Sequence, residues 1–479
     1  MSEQDGAQSL TKQRRSRQIR KPNDAQATAV QRPTNDDREA WKHYWVKVQP
    51  EEWFRAWGYW RTEPEIDAER QKYLEGHRCI EPDIMQGIYP FRNIEPKLTR
   101  ADVEWLLATH ENERGPADWS NEHEQKRVGL DLHGADLRQI NLHNLPLNRV
   151  RFGLTADEWA NTEITDVALR KQAAAWLEKT LLMAAELNGA YLTSVRMNGA
   201  NLVAAQLKEA FLFEADLKQA MLVATNLEKT FLMRTNLEKA NLMAANLEKA
   251  NLSGANLKCA DLTNAYLERV GLQGVTLGDE KHIGPLLADA RWDGTNLAVV
   301  KWSQIGMLGD ERRARQKKHN GQVKDKSTRL EEYEVAVRAN RQLAVVLRDQ
   351  GLNEEADHFA YRAQLLKRAS WLLQRRPLKF ILSWFLYLLA GYGYRPGLSL
   401  AWYLTIIFGF ALAYATFGHL PLLEAFVFSL TSFHGRGFFP GNNIPLSDPR
   451  VELAALEAVV GLLIEISFIA TFTQRFFGK

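Results

Sequence analysis

A chain of 479 residues is too long for one compact domain, so soluble and membrane-embedded portions are sought separately. A formal net charge of +3, with 25% of residues charged, carries no strong bias toward nucleic acid. The two cysteines, Cys79 and Cys259, form neither a CxxC pair nor a metal-ligand spacing, which favours a reducing compartment over a disulfide scaffold; no metal or cofactor is expected.

Taken in chain order, the N-terminus opens without an apolar signal segment. Lys12 to Lys21 is basic and polar and belongs to a tail over residues 1–37, expected to be solvated and disordered. Residues 38–128 read as globular. Trp41, Trp45, Trp53, Trp57 and Trp60 fall at spacings that suit two short helical faces on either side of Pro50. A Trp-rich cap over the first turn of the following repeats is the expectation, because an uncapped repeat rod leaves strand edges open. An aromatic ligand cage is the alternative. Thr99 and Asp102 make a T-x-x-D helix start ahead of Val103, Leu106 and Leu107.

From residue 129 to residue 305 the sequence repeats every five residues, as in Ala240-Asn241-Leu242-Met243-Ala244 followed by Ala245-Asn246-Leu247-Glu248-Lys249. Twenty consecutive centres run from Leu182 to Leu277, all leucine except Met197, and the residue two before each is Ala, Thr or Val. Neither a helix of 3.6 residues per turn nor a strand of period two keeps a period of five facing one way. Earlier centres are Leu132, Leu137, Leu142, Leu147 and Phe152, and later ones Trp292, Leu297 and Trp302. Between Phe152 and Leu182 the register survives a helical insertion over about 153–179, marked by Trp159, Leu169 and Trp176. This A-(D/N)-L-x-x pattern resembles the pentapeptide-repeat family. The resemblance implies a right-handed, four-sided β-solenoid with four pentapeptides per turn and with the centre and the residue two before it pointing inward. Seven turns at about 4.8 Å per layer would give a rod of about 34 Å.

With four repeats per turn, residues twenty apart stack on one face. Met183, Val203, Val223 and Met243 then form one outward column, with Leu181 and Met221 beside it. Tyr191, Phe211 and Phe231, with Phe213 and Met233, form a second column on the opposite face. Between them, Glu228, Glu248 and Glu268 stack beside Lys229, Lys249 and Arg269, so each like-charge stack is offset by its neighbour. Long outward apolar columns usually mark contacts. At least one is therefore expected to be covered, by the insertion and the N-terminal domain or by a neighbouring copy in a homo-oligomer. Some soluble members of the family resemble DNA in shape and charge and protect DNA gyrase. That role needs a continuous negative surface, whereas Glu178 to Glu280 carries 12 acidic and 10 basic residues, which sets the DNA-mimicking, gyrase-interacting reading aside.

Residues 306–376 read as a basic linker followed by a helical hairpin. Ala339 to Ala344, then Gly351 to Ala356, is similar to a single tetratricopeptide-type unit, expected to serve as a connector beneath a membrane domain over 377–479. Phe380 to Ala390, with Trp384, Phe385 and Tyr387, suits an interfacial helix, and a third span is the alternative. Leu398 to Phe417 has no charge and is long enough to cross a bilayer. Val451 to Thr473 is a second apolar run, interrupted by Glu452, Glu457 and Glu465. Basic residues crowd the flanks of the two runs, whereas the connecting loop has only Arg436 and Arg450. Both termini and the repeats are thus expected on the cytoplasmic side of the inner membrane.

Between the spans, Pro421 to Phe433 is apolar but too short to cross, and His434 to Gly441 is a glycine-punctuated loop. Span, short helix, glycine loop, span resembles the two-helix, pore-loop ion-channel family over about Leu398 to Phe477. The resemblance implies a filter at Thr431-Ser432-Phe433-His434-Gly435-Arg436-Gly437 and a glycine hinge at Gly461. Potassium channels have T-V-G-Y-G there, so potassium selectivity is not implied, and an arginine ring would attract anions; the transported ion is not named. Gly391-Tyr392-Gly393 spells a filter tripeptide on the wrong side of the first span. Glu457 and Glu465 inside the second run are expected to line a pore or to gate it, because a carboxylate facing lipid is costly; the alternative puts Glu457 near the outer interface and pairs Glu465 with a neighbouring helix. Glu424 is a candidate partner for Arg436. No Walker loop, G-x-S-x-G elbow, H-E-x-x-H or dinucleotide fingerprint is present, so no enzyme activity is expected. The sequence thus points to an oligomeric membrane channel with a cytoplasmic repeat body, and alternatively to a membrane-anchored interaction scaffold.

Overall fold

The computed structural model describes residues 31–34, 36–160, 167–319, 321–435 and 448–476. The N-terminal domain is built on α1 (Arg38–Val48), α2 (Glu51–Trp57), α3 (Ala68–Arg78) and α4 (Arg100–Ala108), the last followed by a short kinked turn at His110–Glu113. Asp37 and Asp67 cap α1 and α3 by accepting backbone N–H groups, which satisfies donors that helix starts leave open. Thr99 and Asp102 close a full capping box on α4, and the same Asp102 takes the Arg70 guanidinium at 3.0 Å, fixing α3 to α4. Pro50 separates α1 from α2, and the tryptophans divide accordingly: Trp41 stacks with Trp45, whereas Trp53 meets Trp57 and Trp60 with tilted rings.

This domain caps the solenoid. Trp60, Leu74, Phe91, Val103 and Leu106 join one continuous core with Leu130 and Leu132 of the first coil. Arg100 donates to the backbone oxygens of Asn141 and His143, and Arg138 with Lys97 holds the Asp136 carboxyl well below the usual carboxylate range. The polar contacts fix how the cap sits, while the shared apolar core supplies most of the stabilisation, at about 25 cal/mol per Å² removed from water.

Parallel bridges define the solenoid. The residue before each centre pairs with its equivalent twenty positions on, from Trp176↔Arg196 to Asn256↔Thr276, giving four rungs per coil. Every leucine centre from Leu182 to Leu267 is buried, together with the small residue two before it. Threonine serves at that inner position because its hydroxyl finds a carbonyl of the preceding coil: Thr225, Thr230 and Thr235 donate to Leu202, Leu207 and Leu212 at 2.7 to 2.8 Å. Most corners turn through a residue in the left-handed region two after the centre, such as Lys229 at φ 55° and Gly254 at φ 71°. Asparagine and aspartate in the slot before the centre tie coils together, Asn246 to Asn226 at 3.3 Å and Asn236 to Asp216 at 2.8 Å.

Two interruptions differ from expectation in their bounds. Asp136 pairs with Trp176 and Asn141 with Leu181, forty positions apart, so a twenty-residue excursion leaves the register intact. It carries α5 (Ala156–Ala160) and α6 (Val167–Ala173). The coil resumes at Ala175 with Leu177 as a buried centre, one repeat earlier than the sequence suggests. Trp176 among alanines reads as helix, but it fills the outward slot before the centre, where Arg138 and Arg196 lie against its ring at 4.6 and 5.4 Å. Later, Asp261 pairs with Leu286 and Tyr266 with Arg291, twenty-five positions apart, so a five-residue insertion adds Leu287 as a further centre. Leu297 and Trp302 are buried but belong to 3-10 turns that finish the rod.

The C-terminal end is capped by helices. α7 (Gly309–Arg315) leads through a short hairpin, β1 (Lys318–His319) with β2 (Gln322–Val323), into α8 (Lys326–Asp349) and α9 (Asn353–Leu373), which pack as an antiparallel pair about Gly351. Leu343, Leu347 and Phe359 enter the solenoid core, where Phe359 meets Trp302 edge-on at 5.9 Å. Arg362 holds the buried Glu311 in a bidentate pair at 2.7 Å. The expected connector is therefore also the closing cap of the rod. Beyond it lie α10 (Pro377–Ala390), α11 (Pro396–Phe417), α12 (Leu422–Phe433) and α13 (Pro449–Phe476).

Candidate functional site

Among the described residues, one helix is long and apolar enough to cross a membrane, Gly397–Phe417 within α11, with mean hydropathy 1.8. The run of α13 is broken by Glu452, Glu457 and Glu465. α12 is apolar but spans only about 18 Å at about 1.5 Å per residue. It packs against both α11 and α13, which also pack on each other, so the short helix sits between two long ones.

Glu457 is the centre of this packing. Its residue is fully buried, and its carboxylate accepts from Tyr414 Oη of α11 at 2.8 Å and meets Ser429 Oγ of α12. Ser429 also reaches the Ile407 carbonyl at 2.9 Å. One carboxylate thus joins three helices, instead of standing in an open path or at an outer interface. Around it, Tyr414, Ala425, Phe428 and Ala454 form an apolar cluster that keeps water away and strengthens those bonds.

Gly461 lies one helical turn further along. A methyl group on its Cα would stand 2.3 Å from the Phe433 carbonyl oxygen, so only glycine lets the end of α12 approach α13 so closely. α13 continues as a helix through this position, and the glycine acts there as a contact point. Glu465 is partly exposed, 3.7 Å from His434 Nδ1, and the other ring nitrogen of His434 lies 3.1 Å from Tyr403 Oη. The first residue after α12 is therefore held by groups from both long helices.

Thr431, Ser432 and Phe433 form the last turn of α12. Thr431 Oγ1 bonds back to the Val427 and Phe428 carbonyls, and Phe433 is buried edge-on to Tyr403 at 4.8 Å. His434 and Gly435 make the turn that leaves the helix, with Gly435 at φ 69°. Arg436 and Gly437 lie outside the described residues, as does any pairing of Arg436 with Glu424, which is exposed on α12. Sequence reasoning missed Tyr403, Tyr414 and Ser429. Their spacing carries no signal, because only the packing of three helices brings Tyr414 and Ser429 to Glu457 and Tyr403 to His434.

On the solenoid, the aromatic column is assembled as rings stacked across coils: Tyr191 on Phe211 at 5.0 Å and Phe211 on Phe231 at 4.9 Å. Trp159 of α5 stacks on Phe213 at 5.1 Å and buries it, while Met233 is half-buried and Phe231 is at the edge of exposure. The insertion itself rests on Tyr89 and Ile84 of the N-terminal domain. Among the described residues, the opposite column has no such cover. Met183 and Met243 are exposed and Val203 and Val223 half-exposed, with Leu181 and Met221 also exposed.

Four rungs per coil, a leucine at nearly every centre and a small residue two before it define a pentapeptide-repeat β-solenoid, joined at its C-terminal end to a helical region in which one described helix is long and apolar enough to cross a membrane. In agreement, residues 185–274 match the model of pentapeptide repeats through segments 185–220, 200–238, 212–248 and 235–274, eight copies in all. Among solved structures, QnrB1, described as a plasmid-mediated fluoroquinolone resistance protein, is 16% identical, the match covering 38% of this chain and 82% of that one with a TM-score of 0.27. Rfr23 from the cyanobacterium Cyanothece 51142 is 29% identical over 33% and 91%, with a TM-score of 0.17. HetL from Nostoc sp. strain PCC 7120, described as involved in heterocyst differentiation regulation, is 22% identical over 36% and 93%, with a TM-score of 0.14. No curated protein matches the chain.

Proposed function

We propose that the chain is an oligomeric, channel-like membrane protein whose solenoid is a rigid cytoplasmic body for assembly or regulation. In this reading α11 and α13 cross the inner membrane, and α12 with the segment after it re-enters from the outer side as a pore loop. The supporting observation is the buried clamp at Glu457, where Tyr414 and Ser429 fasten the short helix between the two long ones. Three buried polar groups are costly in an apolar surrounding unless they bond one another, and here they do. Gly461 brings the end of α12 against α13, which gives the following loop a fixed point of departure. Glu465 and His434, partly exposed beside that point, are the groups that would face a water-filled path shared between copies.

The test is the assembly state of the full chain purified in mild detergent. Closed rings by mass measurement and imaging are expected, since a pore built from one pore loop per chain requires several copies. A monomer under conditions that preserve folding would count against the channel.

A membrane-anchored interaction scaffold is the second reading, favoured by the exposed Met183 to Met243 column, a surface suited to a protein contact. It expects the solenoid's binding to survive replacement of α11 to α13 by an unrelated anchor, which the channel reading does not.

A further inference from the structure

Two turns frame the corner where the helical cap meets the apolar helices, and basic residues gather there without carboxylate partners among the described residues. From His358 to Leu423 the sequence contains no aspartate or glutamate. Just before this stretch, and at its start, arginines are ion-paired: Arg338 with Asp289, Arg348 with Asp357 and Arg362 with Glu311. Among the described residues, Arg368, Arg375, Arg376, Lys379 and Arg395 have no carboxylate within ion-pair distance, and Nη1 of Arg368 is buried with no hydrogen-bond partner. A surface that leaves these cations unpaired beside well-paired ones is arranged for an outside anion.

The first turn, after α9, puts Arg375 at φ 57° and closes by bonds from the Arg375 and Arg376 amides to the Leu372 and Trp371 carbonyls. The second turn is Gly391-Tyr392-Gly393, the filter-like tripeptide that serves no filter. An added Cβ at Gly391 would meet Arg395 Cγ at 3.0 Å, so the glycine leaves room for the arginine stem to lie along the turn. Tyr392 anchors it by a 2.7 Å bond between its hydroxyl and Ser383 Oγ. Its ring lies 5.9 Å from Tyr387 and 6.3 Å from Tyr361. Arg368 stands over Tyr387 at 4.3 Å, and Arg395 over Tyr361 at 5.0 Å. Two guanidiniums are thus held on one tyrosine cluster with their donors left for another acceptor.

The neighbouring helix supplies the second half of the chemistry. α10 exposes Leu378, Ile381, Leu382, Trp384 and Phe385, an apolar surface that begins at the basic corner itself. Fixed guanidiniums adjoining exposed aliphatic and aromatic side chains match a molecule with a phosphate at one end and acyl chains at the other.

We infer that this corner binds the phosphate headgroup of an anionic phospholipid, held by Arg368 and Arg395 and flanked by Arg375, Arg376 and Lys379, an inference that rests on the membrane reading above. The Gly391 turn is then a positioning element for Arg395. Full chain in mild detergent, titrated with phosphatidylglycerol against phosphatidylcholine and read by native mass spectrometry, should retain phosphatidylglycerol in about fivefold or greater excess. The double variant Arg368→Gln, Arg395→Gln should bring the two lipids to parity, with an unchanged melting temperature showing that the fold is kept. Gly391→Ala, which keeps both charges but crowds the Arg395 stem, should lower the preference to an intermediate value.

Equal retention of the two lipids by the wild type overturns the inference, as does a double variant that keeps the preference. Calorimetry showing that soluble glycerol phosphate binds the wild type as tightly as the lipid would likewise overturn it, by assigning the corner to a free phosphate. Insertion into vesicles of phosphatidylcholine alone separates the two levels. Insertion without headgroup preference removes the lipid site and leaves the membrane reading, whereas failure to insert removes the membrane reading itself.

Discussion

Replacing Asp310 with asparagine should remove a pH dependence from the stability of the chain. Asp310 is buried at the start of α7, where its Oδ2 accepts from the Leu287 amide at 2.8 Å and its Oδ1 has no partner. Burial, more than any other influence, pushes its carboxyl up to about 6, and the nearby Asp261 acts in the same direction. The folded chain therefore holds a proton there that the unfolded chain has already released. Between the ordinary value of 3.8 and about 6, the native state binds more protons, so stability falls as pH rises through that window and is flat above it. At about 1.4 kcal/mol per pH unit the gap corresponds to about 3 kcal/mol, fully present below the window and absent near neutral pH. Asparagine keeps an oxygen for the Leu287 amide and has no charge to bury. Denaturant unfolding of wild type and Asp310→Asn, followed from about pH 4 to about pH 7, cancels in the difference the slopes of carboxylates that do not interact with Asp310. The variant should gain about 3 kcal/mol relative to wild type over that range. A difference between the two proteins that does not change with pH would refute the assignment.

Arg362→Ala leaves Glu311 buried with only Arg315 beside it and should cost about 3 to 5 kcal/mol, seen as a lower unfolding midpoint. Phe213→Ala should cost about 3 kcal/mol and speed hydrogen exchange in α5, and a double-mutant cycle with Trp159→Ala should return a coupling of about 1 kcal/mol; strict additivity would remove the stacking contact from the account. Gly461→Ala places a methyl group against the Phe433 carbonyl and should lower the melting temperature of the helical region in detergent, by an overpacking cost of about 1 to 3 kcal/mol; a wild-type melting curve would mean that the two helices part freely.

The solenoid is legible in the sequence because its period is local: each pentapeptide fixes its own inward residues, and the twenty-residue stacking follows from four of them per coil. Where the period slips, legibility fails for an equally local reason. Trp176 and Leu287 belong to the coil, but the helix-like alanines before the one and the loop before the other hide them. The T-x-x-D start at Thr99 reads correctly, since a capping box depends on residues three apart. The candidate site is less legible. Glu457, Gly461 and Glu465 draw attention as charges and a glycine in an apolar run, but their partners Tyr414, Ser429, Phe433 and His434 come from other parts of the chain, 28 to 43 positions away in the sequence. A glycine spaced like a hinge proves to be a contact, and the filter-like Gly391-Tyr392-Gly393 proves to be a turn that seats an arginine. Chemistry within a sequence window signals which residues are unusual, and tertiary packing decides what each one touches.

In the channel proposal, copies of the C-terminal helices enclose a conducting path. Recording single-channel currents from the purified full chain in planar bilayers tests it most directly, with Glu465→Gln as the comparison, since Glu465 is the partly exposed carboxylate beside His434. Discrete current steps are expected for the wild type and an altered conductance or open probability for the variant. Silent bilayers containing verified, oriented and assembled protein would contradict it and leave the anchored scaffold as the reading to pursue.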